Sequence, residues 1–520
     1  MGKRALRYDC AGEPEILSQG EERMKNILRG LFLIVAISLG LIGPATADVS
    51  GTPYNEKFDA VRSKIIKLVE SDKLPSVSVA VAKDGKIIWE ESFGWANREK
   101  KIKATPQTSY SLASISKSIT ATGVMVLVER GLVDLNMSVD NYLGQAKLTA
   151  YEGKASDATV EQLLHHTAGL PSHWHFFYEN ESPRPLAMDE TIRRYGILVN
   201  PPGEVHHYSN LGYGILDYII SRVSGKSYDE FMSREVFLPL GLRHTFVSTA
   251  PAPEASVAQR YEADLSPVPF YDSDHRGASA VFSSAHDLVR FGMFHLKNHL
   301  GDQAQILKDE TIDLMQRHSG KKLPNVSYKL GWGVNEDDNG YRSVSHGGGM
   351  PGVSTGLKII PSENMAVVVL CNVRNDLTHE ISDEIFASLL PKYAENLKTK
   401  KVKDADKKPD KKFSLESLAG TWTGEIKTFN SALPVQMTFQ KDGDVHIKIK
   451  DQMETLLNGI DWNEGLLQGQ FYGEVKTEDT AHVPHIILLD IRLRGKKMSG
   501  HVLAMNDHWY GLASWIQLSR

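Results

Sequence analysis

Cysteine is nearly missing from this 520-residue chain, which holds Cys10 and Cys371 alone. That excludes a disulfide framework and a metal centre built from cysteine clusters. An excess of one charge is missing too. The 59 Lys and Arg against 64 Asp and Glu leave a net charge of −5, so the charge balance points to neither nucleic acid nor an anionic membrane as partner. Nor is there a membrane-length apolar run here: Leu31–Ile42 spans 12 residues, where a crossing helix needs about 20. What remains is the composition of a globular protein, 41% hydrophobic and 24% charged, long enough for at least two domains.

The short apolar run has a different use. Lys25 and Arg29 precede it and Ala45-Thr46-Ala47 follows it, the basic flank, apolar core and small-residue end of a secretory signal. Cleavage is expected after Ala47, with Met24 as the natural start and residues 1–47 as extension plus signal. The expected location is periplasmic or extracellular, and a membrane is a partner only if the segment is retained.

From 55 to 395 strand and helix patterns alternate. Ser76–Ala82 and Ile87–Trp89 predict a hairpin around Lys83-Asp84-Gly85-Lys86. An apolar helix is predicted over 115–130, closed by Gly131, and a second from Asn210 to Val223, ending near Gly225. Strands are predicted near Arg342–Ser345, Val353–Ile360 and Met365–Asn372. Strands at both ends with helices between predict an α+β fold whose antiparallel sheet joins early and late segments and is flanked by helices. Residues 396–412 read as a lysine-rich solvated linker: Lys398–Lys412 holds eight lysines and three aspartates. Beyond Phe413 some seven short strands with no helical period predict a small antiparallel β-barrel over 413–520.

Three elements carry chemistry. Ser114-Ile115-Ser116-Lys117 opens the first apolar helix, where residues three apart share a face. A lysine becomes a base at neutral pH when burial depresses its pKa. Spacing alone is weak, because Ser319-Gly320-Lys321-Lys322 repeats it in a polar loop. Tyr208-Ser209-Asn210 opens the second helix, and Tyr178-Glu179-Asn180 repeats that spacing in an aromatic loop. His346-Gly347-Gly348-Gly349 follows a strand candidate, where glycines permit close approach of a substrate and expose a backbone N–H. The imidazoles of His165, His166, His173 and His175 invite a zinc reading, but neighbouring imidazoles in a loop need no metal; neither metal nor cofactor is expected.

In this order, and with Leu163-Leu164-His165-His166-Thr167-Ala168-Gly169-Leu170-Pro171 and Pro202-Gly203-Glu204 around them, these motifs resemble the serine β-lactamase and penicillin-binding-protein family. The likeness is nearest to class C β-lactamases and their DD-peptidase, esterase and D-aminopeptidase relatives, and covers residues 55–390. The final barrel resembles the lipocalin-like domains appended to some members. The resemblance implies a β-lactamase/transpeptidase-like sandwich followed by that barrel. It implies Ser114 as acyl-forming nucleophile, Lys117 as its base or proton partner, Tyr208 as the group that deprotonates serine or water and protonates the leaving group, and Asn210 as positioner of lysine and substrate, with the N–H groups of Ser114 and Gly349 as oxyanion hole. His346, Gly347 and Gly348 would complete the substrate edge. Where β-lactamases usually carry a lysine, this chain has His346, mostly neutral at pH 7, which turns the expectation away from efficient β-lactam hydrolysis. The expected substrates are small esters, amides or D-amino-acid peptides. The alternatives are a DD-carboxypeptidase or β-lactamase, and an acylated sensor or structural protein without turnover.

Overall fold

The computed structural model describes residues 55–179, 184–248, 250–251, 256–317, 326–405, 415–480, 483–506 and 510–520. The signal segment and the Ser319–Lys322 repeat lie outside them.

A seven-stranded antiparallel sheet forms the frame. Its order is Gly333–Asp338, Tyr341–Met350, Val353–Ile360, Met365–Cys371, Ser76–Lys83, Lys86–Asn97 and Ile102–Lys103. The early hairpin thus pairs with the last strand of the domain, Val77 opposite Cys371 and Lys83 opposite Met365. Period-two alternation explains why both strands sit in the centre. Val77, Val79 and Val81 join Met365, Val367, Val369 and Cys371 in a core under the Asp59–Glu70 and Leu377–Leu389 helices. Ala80, Ala82, Ala366, Val368 and Leu370 face the larger core on the other side. That core encloses the Ser116–Glu129 helix, buried without a break from Ser116 to Leu127, as an all-round apolar helix must be. The Asn210–Ser224 helix packs on it and ends at Gly225, φ 68°.

Two expectations change. The linker reading of 396–412 is corrected at its start, because a helix runs over Pro391–Ala405. Proline suits a first helical position, Tyr393 is fully buried, and Lys, Ala, Glu and Leu favour helix where lysine density alone suggests solvated coil. The strand expected near Arg342–Ser345 runs further, through the Gly-rich motif: His346–Gly349 belongs to Tyr341–Met350, paired with Val353–Ile360. The edge strand Gly333–Asp338 carries no apolar alternation and went unpredicted.

The C-terminal region forms nine antiparallel strands among the described residues, from Gly420–Lys427 to Tyr510–Ser519, which pair with each other. The ends of this sheet are Thr455–Leu456 and Asn458–Asn463, separated by Leu457 alone, so the barrel is nearly closed. Its interior is filled by Trp422, Phe439, Phe471, Ile487 and Ile516 among others. The barrel docks through its last strand, where Tyr510 and Gly511 pair with His175 and Trp174 of the Trp174–Tyr178 strand. Arg194 adds a bidentate ion pair to Asp479 at 2.8 Å, and Tyr151 stacks on Trp515 at 5.0 Å.

Candidate active site

Ser114 sits in a 3₁₀ turn, Ala113–Ile115, that feeds the buried Ser116–Glu129 helix. Ala113, just before it, holds φ 48°, a left-handed conformation that costs a non-glycine residue energy and persists where surroundings enforce it. The enforcement is visible. The Leu112 carbonyl accepts a hydrogen bond from Thr355 Oγ1 at 2.8 Å, and a β-carbon on Gly348 would fall 2.1 Å from that carbonyl oxygen. Gly348 is therefore a glycine because the turn bearing Ser114 rests on it.

Lys117 lies one helical turn on and is fully buried. Its Nζ lies 3.0 Å from Ser114 Oγ, 2.8 Å from Asn210 Oδ1 and 3.2 Å from the Ala278 carbonyl oxygen. All three acceptors are neutral, and burial drives the amine well below its ordinary pKa. The Tyr208 ring lies 4.7 Å from the amine, and its hydroxyl interacts with Ser114. Burial raises that phenol far above its ordinary value, against the lowering effect of Ser114. Tyr208 and Asn210 are set by a helix start: Ser209 caps the Asn210–Ser224 helix through Gly212 N–H at 3.2 Å, and its own N–H donates to His166 Nδ1 at 3.1 Å.

These residues open on a cavity of about 240 Å³, lined by Ser114, Tyr208, Asn210, Gly349, Trp174, Phe176, His275 and Arg374 among others. His346 is not in that lining. It is buried behind the site, its Nε2 2.9 Å from the Tyr328 hydroxyl and its Nδ1 2.7 Å from the Gly347 carbonyl. A protonated Nδ1 faces the carbonyl, which in the neutral ring leaves Nε2 to accept from the tyrosine. Burial and the nearby Lys117 push its pKa down to about 3. Gly347 turns toward His379 of the Leu377–Leu389 helix, while Gly349 lies at the cavity, next to the Arg374 guanidinium.

The four sequence-marked imidazoles disperse. His165 Nδ1 meets the Tyr328 carbonyl at 3.1 Å, His166 packs on Tyr208 at 4.3 Å, and His173 Nε2 bonds Asp274 at 2.7 Å. His175 enters the strand that meets the barrel. Of the decoy triplet, Tyr178 packs on Tyr271 and Asn180 lies outside the described residues. The sequence reading missed Trp174, His275 and Arg374 as cavity residues. Each comes from a separate segment, and only Arg374, just past the central strand ending at Cys371, had a positional hint. A larger cavity of about 420 Å³, reaching Arg260 and Glu179, lies beyond the site. A narrow cleft through Arg260, Phe282, Met350 and Phe176 shares lining residues with both cavities.

Residues 61–390 match the family described as Beta-lactamase. This chain belongs to that family. It is 27% identical over 342 residues to Protein flp of Staphylococcus aureus (strain N315), covering 62% of this chain and 66%, about two thirds, of that protein's length. It is 28% identical over 326 residues to Penicillin-binding protein 4* of Bacillus subtilis (strain 168), covering 58% of this chain and 69% of that one. The octameric penicillin-binding protein homologue from Pyrococcus abyssi shares the fold at a TM-score of 0.54 and 22% identity, over 88% of this chain and 99% of its own. The family groups serine hydrolases of β-lactamase and penicillin-binding type, and the last likeness extends beyond the matched domain into the barrel.

Proposed function

We propose that this member is an acyl-enzyme hydrolase of small esters, amides or D-amino-acid peptides, acting outside the cytoplasm. The observation that carries the reading is a fully buried Lys117 bonded to Ser114 and given no carboxylate to keep it charged. A neutral amine takes the Ser114 proton as Oγ attacks the carbonyl carbon of the substrate. Tyr208, whose proton burial retains, relays it to the leaving group rather than acting as phenolate base. Asn210 holds the amine in line, and the N–H groups of Ser114 and Gly349 receive the oxyanion. The location rests on the N-terminal segment.

A second reading, a DD-carboxypeptidase or β-lactamase, is favoured by Arg374. His346 is neutral and outside the cavity lining, but Arg374 places a permanent cation there, beside Gly349, where a substrate carboxylate can pair with it.

Burst kinetics with a p-nitrophenyl ester test the first reading. Steady release that vanishes in Ser114→Ala supports it; a single burst per chain indicates an acylated sensor, and no release a structural protein. Comparing D-amino-acid amides with free-carboxylate substrates and a chromogenic cephalosporin, in wild type and Arg374→Ala, separates the two substrate classes.

A further inference from the structure

A second set of ionisable groups borders the same cavity and has no part in the acylation chemistry. Asp274 and His275 precede the short Arg276–Ser279 helix whose Ala278 carbonyl holds Lys117. The Asp274 carboxylate is buried and collects three donors. His173 Nε2 lies 2.7 Å from Oδ2, the His175 backbone N–H 3.2 Å from Oδ1, and His275 Nδ1 makes a short bond to Oδ1. Burial alone would raise this carboxyl, but its interactions with His173 and His275 outweigh that and hold it below the usual carboxylate range. An ionised carboxylate accepts only, so His275 must carry its proton on Nδ1. Its Nε2 lone pair is then uncommitted: among the described residues no hydrogen bond to that atom is made, and His275 is one of the residues lining the cavity that holds Ser114. Burial lowers its pKa despite Asp274, which keeps the ring in the neutral, proton-accepting form.

The arrangement is braced from behind. The His173 ring packs on Tyr195 at 4.3 Å, and the Tyr195 hydroxyl donates to Asp479 of the barrel. His175, which supplies the backbone N–H, sits opposite Tyr510 of the barrel's last strand. A carboxylate-oriented imidazole with an uncommitted nitrogen, on a residue that lines a nucleophile's cavity, suits a general base.

We propose that His275, oriented by Asp274 and His173, is the base that activates water to hydrolyse the acyl-enzyme on Ser114. His275 Nε2 takes a proton from water as its oxygen bonds to the acyl carbonyl carbon. The tetrahedral intermediate collapses with cleavage of the carbon–Oγ bond, and Oγ recovers a proton through Tyr208 and Lys117. The products are the free acid and neutral Ser114, and the proton that His275 took from water passes through the cavity solvent to Tyr208 and Lys117, so that all three groups return to their starting states. Acylation belongs to Lys117, deacylation to His275. Asp274 and His173 are positioning residues. This rests on the acyl-enzyme reading above.

The test uses the full chain and p-nitrophenyl acetate. In His275→Gln the burst remains at one equivalent per chain, steady release falls by about 10²-fold or more, and intact mass spectrometry finds the acetyl adduct accumulating. In His275→Ala, added imidazole restores steady release above that of the same imidazole with Ser114→Ala, the blank for its direct attack on the ester, which a merely structural role would not produce. Asp274→Asn, which spoils the tautomer without removing the ring, shows the same separation of burst from turnover and serves if the histidine variants fold poorly. Unchanged steady release in all three variants overturns the proposal and leaves the acyl-enzyme reading standing. So does a burst lost together with turnover, without imidazole rescue. A wild-type chain with no burst and no Ser114-dependent release defeats the acyl-enzyme reading itself.

Discussion

Two lysines in one domain, one fully buried and one mostly so, have their pKa values moved in opposite directions. Lys117 is fully enclosed, faces three neutral oxygens and is driven well below its ordinary pKa by desolvation. Lys358, its side chain 16% exposed, has Asp338 Oδ2 and Asp383 Oδ1 at 2.9 Å each. Burial lowers it, but the two carboxylates outweigh that and raise it above its ordinary value. What decides between a structural ion pair and a chemical base is the partner set, not burial.

The largest effect is expected at Lys117 itself. Lys117→Met is expected to cut acylation on the order of 10⁴-fold, read as the pre-steady-state burst rate. Stability moves the other way with pH. With its folded pKa depressed, Lys117 disfavours folding increasingly as pH falls from about 10.5 toward that lower value, because the unfolded chain then binds the extra proton. Urea midpoints measured from pH 10.5 down to 7 should therefore decline less in the methionine variant than in wild type. Lys358 has the opposite sign: its contribution is complete below about 10.5 and is lost as pH rises through its higher folded value. Asp383→Ala leaves a buried cation half-paired and should cost about 3 kcal/mol of unfolding free energy, with kcat of the folded fraction unchanged. Asn210→Asp turns the first environment into the second. A carboxylate at the 2.8 Å contact keeps Lys117 charged at neutral pH, so acylation at pH 7 falls by about 10²-fold. The acidic limb of the pH–rate profile shifts upward with it; a limb that stays put means Lys117 is not the base.

The smallest effect is expected at the domain junction, where Asp479 pairs with Arg194 and Tyr195. Asp479→Ala should cost about 1–3 kcal/mol in thermal stability and slow steady release more than burst. Deleting the barrel after residue 395 exposes the Trp174–Tyr178 strand and should broaden substrate preference; an unchanged substrate panel counts against any part for the barrel in the site.

What was legible in the sequence was local. Ser114 and Lys117 are one helical turn apart, Ser209 and Gly225 mark the ends of a helix, and alternating Val and Ala mark the central strands. Register followed from that alternation, since a one-residue slip would turn Val77 and Val79 out of their core. What escaped depends on contacts between distant segments. Arg374 looks like any surface arginine until the sheet sets it beside Gly349, and His275 is anonymous until Asp274 and His173 meet it. His346, conspicuous as a motif, turned inward to Tyr328. The lysine-rich stretch after Pro391 concealed a helix because charge density hid the propensity beneath it.

The strand that walls the cavity, Trp174–Tyr178, pairs with residues 510 and 511. On a ribosome adding about 5–20 residues per second, the two partners emerge tens of seconds apart. Ser114, Lys117 and Asn210 can meet long before that wall is fastened. Catalytic competence should therefore lag behind the folding of the first domain during synthesis, and a nascent chain stalled in the barrel would expose an unpaired strand edge beside an assembled nucleophile, a point of vulnerability to misassociation that the finished protein no longer has.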